Sequence, residues 1–119
     1  MGYSLNKLKK ELSEKNLADN GLVAWGQNTG TGGIIASAIS PMFTISKAGN
    51  KIVIIPFNNK AISYDKAISF DLAKIDTAKV KGAWLFSKLV IKTVDGRVYK
   101  YSITQGKGAV KQILSSLSL

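Results

Sequence analysis

The chain has 119 residues, a formal net charge of +10, no histidine and no cysteine. A chain of this length fits one domain with a single hydrophobic core. Without histidine and cysteine there are no disulfides, catalytic thiols or usual transition-metal sites, and no paired-carboxylate motif is present. We therefore expect a binding module rather than an enzyme, with no metal and no cofactor.

The N-terminal segment is predicted to form a short helix over residues 4–17. Ser4 is a suitable N-cap, and Leu5, Leu8 and Leu12 recur at spacings of three and four residues. The apolar stripe is thin. This pattern is typical of an accessory helix that docks on a sheet or on a second copy of the chain.

Residues 22–46 carry no charged side chain, although the rest of the chain is rich in lysine. One interpretation is a pair of strands, at residues 22–27 and 42–47, with a glycine-rich and then apolar connection between them. The alternative is that this connection forms an exposed apolar element that contacts a membrane or another subunit. The candidate residues for such a contact are Ile34, Ile35 and Ile39.

The middle of the chain is predicted to be a meander of strands. Residues 51–57 contain four consecutive β-branched aliphatic residues, which is typical of a strand buried on both faces. Residues 61–66 are nearly repeated by residues 67–72, and the two copies predict a hairpin that turns at Asp65-Lys66. Residues 75–80 are a further predicted strand.

The last third predicts a hairpin from residues 85–94 and 97–103. A three-residue loop with Gly96 in the left-handed region would pair Ile91 with Tyr99 and Leu89 with Tyr101. A two-residue turn would instead mix aliphatic residues and lysines on one face, so we prefer the three-residue loop. The face opposite the apolar residues then carries Lys88, Lys92, Lys100, Val98 and Ser102.

A C-terminal helix is predicted after this hairpin. Its apolar residues recur at helical spacing and form one stripe, which we expect to cover a sheet or the mouth of a barrel. The stripe consists of Ala109, Val110, Ile113, Leu114 and Leu117.

Together these elements predict a mainly β fold of about seven antiparallel strands closed by a C-terminal helix. Residues 75–80, 89–93 and 95–101, in this order, resemble the bacterial members of the pleckstrin-homology-like domains. The resemblance covers about residues 22–119. It implies a β-barrel or split barrel and a scaffolding role, with an accessory helix at residues 1–20 and the pleckstrin-homology-like domain at residues 21–119.

The positive charge is concentrated near the C-terminus. Eight basic residues and one acidic residue lie between residues 79 and 111, a net charge of +7. A polyanion could span lysines that project from one sheet face. Alternatively, these charges keep a small basic protein soluble. The candidate residues for an anion or another partner are Lys79, Lys81, Lys88, Lys92, Arg97 and Lys100.

Three binding functions are consistent with these features. We prefer a protein partner or a homo-oligomer; the alternatives are an anionic membrane and, less favoured, nucleic acid bound without sequence preference. Sixteen of the seventeen basic residues are lysine, which favours diffuse attraction over the bidentate contacts that arginine makes. The first residues contain no hydrophobic signal region, so we expect a cytoplasmic protein, membrane-peripheral under the second hypothesis.

Overall fold

Seven antiparallel strands form two sheets in a computed structural model that describes residues 4–27, 42–82 and 87–119. The four-stranded sheet contains, in order, β1 (Val23–Gln27), β2 (Met42–Ala48), β3 (Lys51–Phe57) and β4 (Ile68–Asp71). The three-stranded sheet contains β5 (Ile75–Lys81), β6 (Lys88–Thr93) and β7 (Val98–Ser102). The helices are α1 (Leu5–Glu14) and α2 (Lys107–Ser116). The mainly β prediction is confirmed, and the described residues form two sheets rather than a closed barrel.

Helix α1 lies on the outer face of the four-stranded sheet. The Ser4 side chain accepts a hydrogen bond of 3.2 Å from the backbone N–H of Lys7, which confirms the predicted N-cap. Leu8 and Leu12 are fully buried in an apolar cluster with residues of β1 and β3. The prediction of a helix that docks on a sheet is confirmed, although α1 ends at Glu14 rather than at residue 17.

Strand β3 is buried on both faces, as its run of aliphatic residues predicts. Ile52 and Ile54 point into the core between the two sheets, whereas Val53 and Ile55 point into the cluster under α1. The four-stranded sheet is therefore the middle layer of the molecule, with α1 on one side and the main core on the other.

The main core lies between the two sheets and α2. The three-stranded sheet contributes its inward residues, and α2 packs against β1, β2 and β5, as expected of a helix that closes the fold. The largest buried side chains of this core are Tyr101, Phe43, Ile45, Ile52, Ile54, Leu89, Ile91 and Ile113.

The predicted hairpin of residues 61–66 and 67–72 is wrong. Only the second copy contributes a strand, β4, which pairs with β3. The first copy contains an isolated bridge between Ile62 and Phe57, followed by a 3₁₀ turn at Tyr64–Lys66. The second copy pairs with the edge of β3 over four residue pairs, from Lys51–Asp71 to Ile54–Ile68, so the first copy is left as the connection between β3 and β4.

The two sheets are joined by a seam between β1 and the chain that follows β7. The N–H of Trp25 donates to the carbonyl oxygen of Gln105 over 2.9 Å, and the carbonyl oxygen of Trp25 accepts from the N–H groups of Gln105 and Thr104. The indole N–H of Trp25 also donates to Oε1 of Gln105 over 3.1 Å. At the next residue the backbones are so close that a Cβ at Gly26 would lie 1.6 Å from the carbonyl oxygen of Ser102.

A polar cluster connects the segment after α1 to the β2–β3 turn. Oδ2 of Asp19 accepts hydrogen bonds from Nζ of Lys47 over 3.2 Å and from the backbone N–H of Gly49 over 2.8 Å. The hydroxyl of Ser46 donates to the carbonyl oxygen of Leu17 over 2.6 Å. The Gly49 hydrogen bond, and then the Lys47 contact, lower the pKa of Asp19 below its usual range.

The seam predicts that Gly26→Ala strongly destabilises the fold. The methyl group would meet backbone rather than a movable side chain, so we expect a loss at or above the roughly 1–3 kcal/mol that is typical of overpacking. The control is Gly108→Ala, in helix α2, where a Cβ has open space. This change should stabilise the protein by about 0.5–1 kcal/mol. Urea unfolding measures both; equal effects of the two variants would contradict the proposed role of the seam.

The Asp19 cluster predicts a pH-dependent contribution to stability. Because the folded-state pKa of Asp19 is lowered, its contribution is present above the unfolded pKa of about 4 and is lost as pH falls. Asp19→Asn should lower the free energy of unfolding at pH 7 by less than about 1 kcal/mol, since the side chain is 38% exposed and water screens it. The difference between the variant and the parent should shrink towards pH 2. The exposed Asp65→Asn serves as the control, and a difference that is constant with pH would contradict this account.

Candidate functional site

The β6–β7 hairpin has the predicted three-residue loop. Ile91 lies opposite Tyr99 and Leu89 lies opposite Tyr101. The N–H of Thr93 donates to the carbonyl oxygen of Arg97 over 2.9 Å, and Gly96 has a φ of +90°, the left-handed conformation that glycine adopts readily. The predicted register is confirmed. The apolar and aromatic residues therefore point inward, and the lysines point outward.

The outward side of the three-stranded sheet is a surface of nine side chains. The register arranges them in three cross-strand rows: Lys81-Lys88-Ser102, Lys79-Val90-Lys100 and Thr77-Lys92-Val98. All five lysines of this surface are exposed. We call the surface the lysine face, and its lysines are Lys79, Lys81, Lys88, Lys92 and Lys100.

The lysine face is small, so its charges are close together. Neighbouring strands lie about 4.8 Å apart, and alternate residues along one strand are about 6.7 Å apart. Three strands and three rows thus cover a patch of about 10 by 13 Å. Five ammonium groups on flexible stems above such a patch produce a strong local positive potential.

Little of this charge is neutralised. Among the described residues, the face has one ion pair, from Nζ of Lys92 to Oδ2 of Asp76 over 3.9 Å, and both side chains are 52% exposed. The segments outside the described residues contain no aspartate or glutamate. Lys81 lies directly opposite Lys88, an arrangement of like charges that destabilises a sheet.

Arg97 does not belong to the lysine face. It lies at the end of the hairpin loop, where its Nε is 3.6 Å from Oδ2 of Asp95. It shares the side of the strand with Tyr99, and interaction with Tyr99, more than with Asp95, raises the pKa of the guanidinium. Hydrogen bonds from the hydroxyl of Thr93 and the backbone N–H of Arg97 lower the pKa of Asp95. The structure thus brings together five of the six predicted basic residues.

Val90 is a residue of this surface that the sequence analysis missed. It is the centre of the three rows and is half-buried, whereas the surrounding lysines are exposed. Period-two alternation between Lys88 and Lys92 was the signal that could have found it, because residues two apart on a strand share a face. Asp76 was missed as well, since it lies at an irregularity in the β5–β6 register that alternation does not reveal.

The other predicted contact segment cannot be placed on this surface. Ile34, Ile35 and Ile39 lie outside the described residues, so their role in binding stays a prediction. Large exposed apolar side chains in the described part of the chain are Ile68, Val94 and Val98. Of these, Val98 belongs to the lysine face.

Three further findings concern metal sites, membrane-spanning helices and known relatives. Within residues 4–27, 42–82 and 87–119, no group of three histidine, cysteine, aspartate or glutamate residues could hold a metal ion. Neither helix in these ranges is long and apolar enough to cross a membrane. The chain matches no protein-family model, and a search of curated proteins finds no match.

The opposed lysines predict that Lys88→Glu stabilises the fold. The change would replace repulsion across the strands by attraction to Lys81, worth about 0.2–1 kcal/mol at low ionic strength. The gain should disappear in 1 M salt, where the Debye length is about 3 Å. Urea unfolding at both ionic strengths tests this. Lys60→Glu, in an exposed loop, makes the same charge change and should not stabilise; a loss of stability in Lys88→Glu at low salt would count against the opposed arrangement.

Proposed function

We propose that this chain is a non-enzymatic binding module of pleckstrin-homology-like type whose lysine face binds a phosphate-rich polyanion. The observation that carries the proposal is the gathering of five lysines on one exposed sheet face, four of them without an ion pair in the described part of the chain. Directly opposed lysines reduce stability. A protein keeps such a destabilising arrangement where it serves function, and here an external anion would offset the repulsion between the lysines.

The fold supports the pleckstrin-homology-like part of the proposal at the level of architecture. Seven antiparallel strands in sheets of four and three are followed by a helix that packs between them. The sequence resemblance implies the same order of elements and covers the strands that form the lysine face. A domain at residues 21–119 with an accessory helix at residues 1–20 remains our proposal for the organisation of the chain.

The chemistry of the face supports diffuse attraction rather than recognition of a particular group. Lysine is a flexible point charge, whereas arginine provides the planar fork that binds phosphate in a bidentate manner. Arg97, the chain's single arginine, interacts with Asp95 and Tyr99 instead. We therefore expect affinity that depends steeply on salt and little on the detailed structure of the polyanion.

Binding of a protein partner, or self-assembly into a homo-oligomer, is the function that the sequence favours. The lysine face does not support contact between two copies through this surface, since ten lysines would meet there. An uncovered sheet edge and the segment containing Ile34, Ile35 and Ile39 are the candidates for such a contact. Light scattering of the purified protein tests it: a defined oligomer supports this second function, and a monomer counts against self-association.

Charge reversal on the face tests the polyanion proposal. Lys88→Glu, Lys92→Glu and Lys100→Glu together lower the net charge from +10 to +4. At about 1 kcal/mol per lysine, and about 1.4 kcal/mol per factor of ten, the triple variant should bind long-chain inorganic polyphosphate at least about 100-fold more weakly. Isothermal titration calorimetry at low ionic strength measures the affinity.

The matched control reverses three exposed lysines elsewhere, through Lys10→Glu, Lys60→Glu and Lys66→Glu. Its net charge is also +4, so we expect it to keep affinity within about threefold of the parent if the arrangement on the face matters. Equal losses in the two triple variants would show that net charge alone controls binding. Retention of full affinity by the first variant would exclude the lysine face as the binding surface.

A further inference from the structure

The lysine face offers no aromatic ring at its nine outward positions. Tyr99 and Tyr101 are on β7, but they point to the opposite side of the sheet, where Tyr101 is 1% exposed and both rings pack edge-on against Phe70. Proteins that bind single-stranded nucleic acid on a sheet stack the bases on exposed aromatic side chains. The lysine face lacks that platform and is a poor surface for single strands.

Duplex nucleic acid is also a poor match to this face. The major groove accepts a helix or a two-stranded ribbon, whereas the lysine face is the broad side of three strands. Arginine, asparagine and glutamine, which form bidentate contacts with base edges, are missing from the nine outward positions. A duplex could meet the face only through its phosphates.

The centre of the face is the aliphatic Val90, and five of the eight positions around it are lysines. Val90 has Lys79 and Lys100 directly opposite on the two neighbouring strands, and Val98, at one corner of the face, adds a second aliphatic side chain that is 44% exposed. Lysine stems cover apolar surface while their ammonium groups extend into a polar layer. This combination suits a surface in which anionic groups lie above an apolar interior, as in the headgroup region of a bilayer.

The order of layers in the fold determines which side of the molecule would face such a surface. From one side to the other, the molecule consists of α1, the four-stranded sheet, the main core and the three-stranded sheet, so α1 and the lysine face lie on opposite sides. The hairpin loop carries the Asp95–Arg97 pair, and Lys92 has Asp76 nearby. Within this hairpin and β5, the lysines without an ion pair among the described residues are Lys79, Lys81, Lys88 and Lys100, which favours contact by the face rather than by the loop.

We infer that the lysine face lies flat on the anionic leaflet of a lipid bilayer, with α1 directed away from it. This inference rests on the proposed binding of polyanions by the same face. Each lysine beside an anionic leaflet raises the partition coefficient about fivefold. The attraction falls off within a Debye length, about 8 Å at physiological ionic strength.

Co-sedimentation with vesicles tests the nature of the partner. The parent chain should sediment with vesicles of phosphatidylserine and phosphatidylcholine, should ignore pure phosphatidylcholine, and should be released as salt rises. A mixed-sequence DNA duplex at equal phosphate concentration is the competing probe, and we expect it to bind at least about tenfold more weakly. Equal or tighter binding to the duplex would overturn the membrane inference.

Val90→Glu tests whether the centre of the face contacts the membrane. It places one carboxylate among five lysines, whereas Val94→Glu makes the same charge change in the hairpin loop, where Val94 is 63% exposed. We expect Val90→Glu to lose about tenfold in partitioning and Val94→Glu to lose less than about threefold. Equal effects of these two variants would contradict docking by the face.

Single cysteines test the orientation without altering the lysines. The parent chain has no cysteine, so Thr77→Cys on the lysine face and Ser13→Cys on α1 each introduce one thiol at an exposed position. Maleimide labelling of the Thr77→Cys variant should slow at least about tenfold on phosphatidylserine vesicles, and that of Ser13→Cys should not change. Protection of the α1 thiol alone would overturn the orientation.

The outcomes separate this inference from the proposed function. Binding of the parent chain to polyphosphate and the duplex, without binding to anionic vesicles, would overturn the membrane inference and keep the polyanion-binding function. Absence of binding to all three probes would overturn both. Vesicle binding that survives the triple charge reversal on the face would overturn the membrane inference alone, because another surface would then contact the bilayer. The proposed function would still be decided by the affinity of the same variant for polyphosphate.

Discussion

The seam between β1 and the chain after β7 is the constraint on which the rest of the structure depends. Paired backbone groups of Trp25 and Gln105 join the edge of the four-stranded sheet to the end of the three-stranded sheet. The contact at Gly26 leaves no room for a side chain. Since β4 and β5 do not pair, this seam and the shared core determine how the two sheets lie relative to each other. They also determine which side of the three-stranded sheet is inside.

Once the inner side is set, the outer side follows from the alternation of strands. Leu89, Ile91 and Tyr101 enter the core, so Lys88, Lys92 and Lys100 must point outward. A slip of one residue would exchange the two sets and bury unpaired lysines, which is strongly unfavourable. The packing of the core therefore enforces the concentration of charge on the lysine face, including the opposed pair Lys81 and Lys88. The opposed lysines on the outer side of the sheet lower its stability, and the packed apolar residues on the inner side raise it.

Much of this structure could be predicted from local patterns in the sequence. The register of the last hairpin could be predicted because only one loop length separates aliphatic residues from lysines. The Ser4 cap and the two-sided burial of β3 were also readable from neighbouring residues. The structure of the repeated segment at residues 61–72 was not readable in this way. Either copy suits a strand, and which of them forms one depends on pairing with the distant strand β3. Arg97 was wrongly grouped with the lysines because it lies beside the hairpin loop, where the alternation of the strand ends. Asp76 was missed because the β5–β6 register is irregular between Ile75 and Thr77.

Five lysines are gathered on one sheet face, and we propose that this face meets the partner. The most direct measurement is a map of backbone amide chemical shifts in isotope-labelled protein during titration with polyphosphate. We expect the largest changes at residues 75–81, 88–93 and 98–102, with little change in α1 and β3. Changes concentrated in α1, or spread evenly over all exposed lysines, would contradict the account.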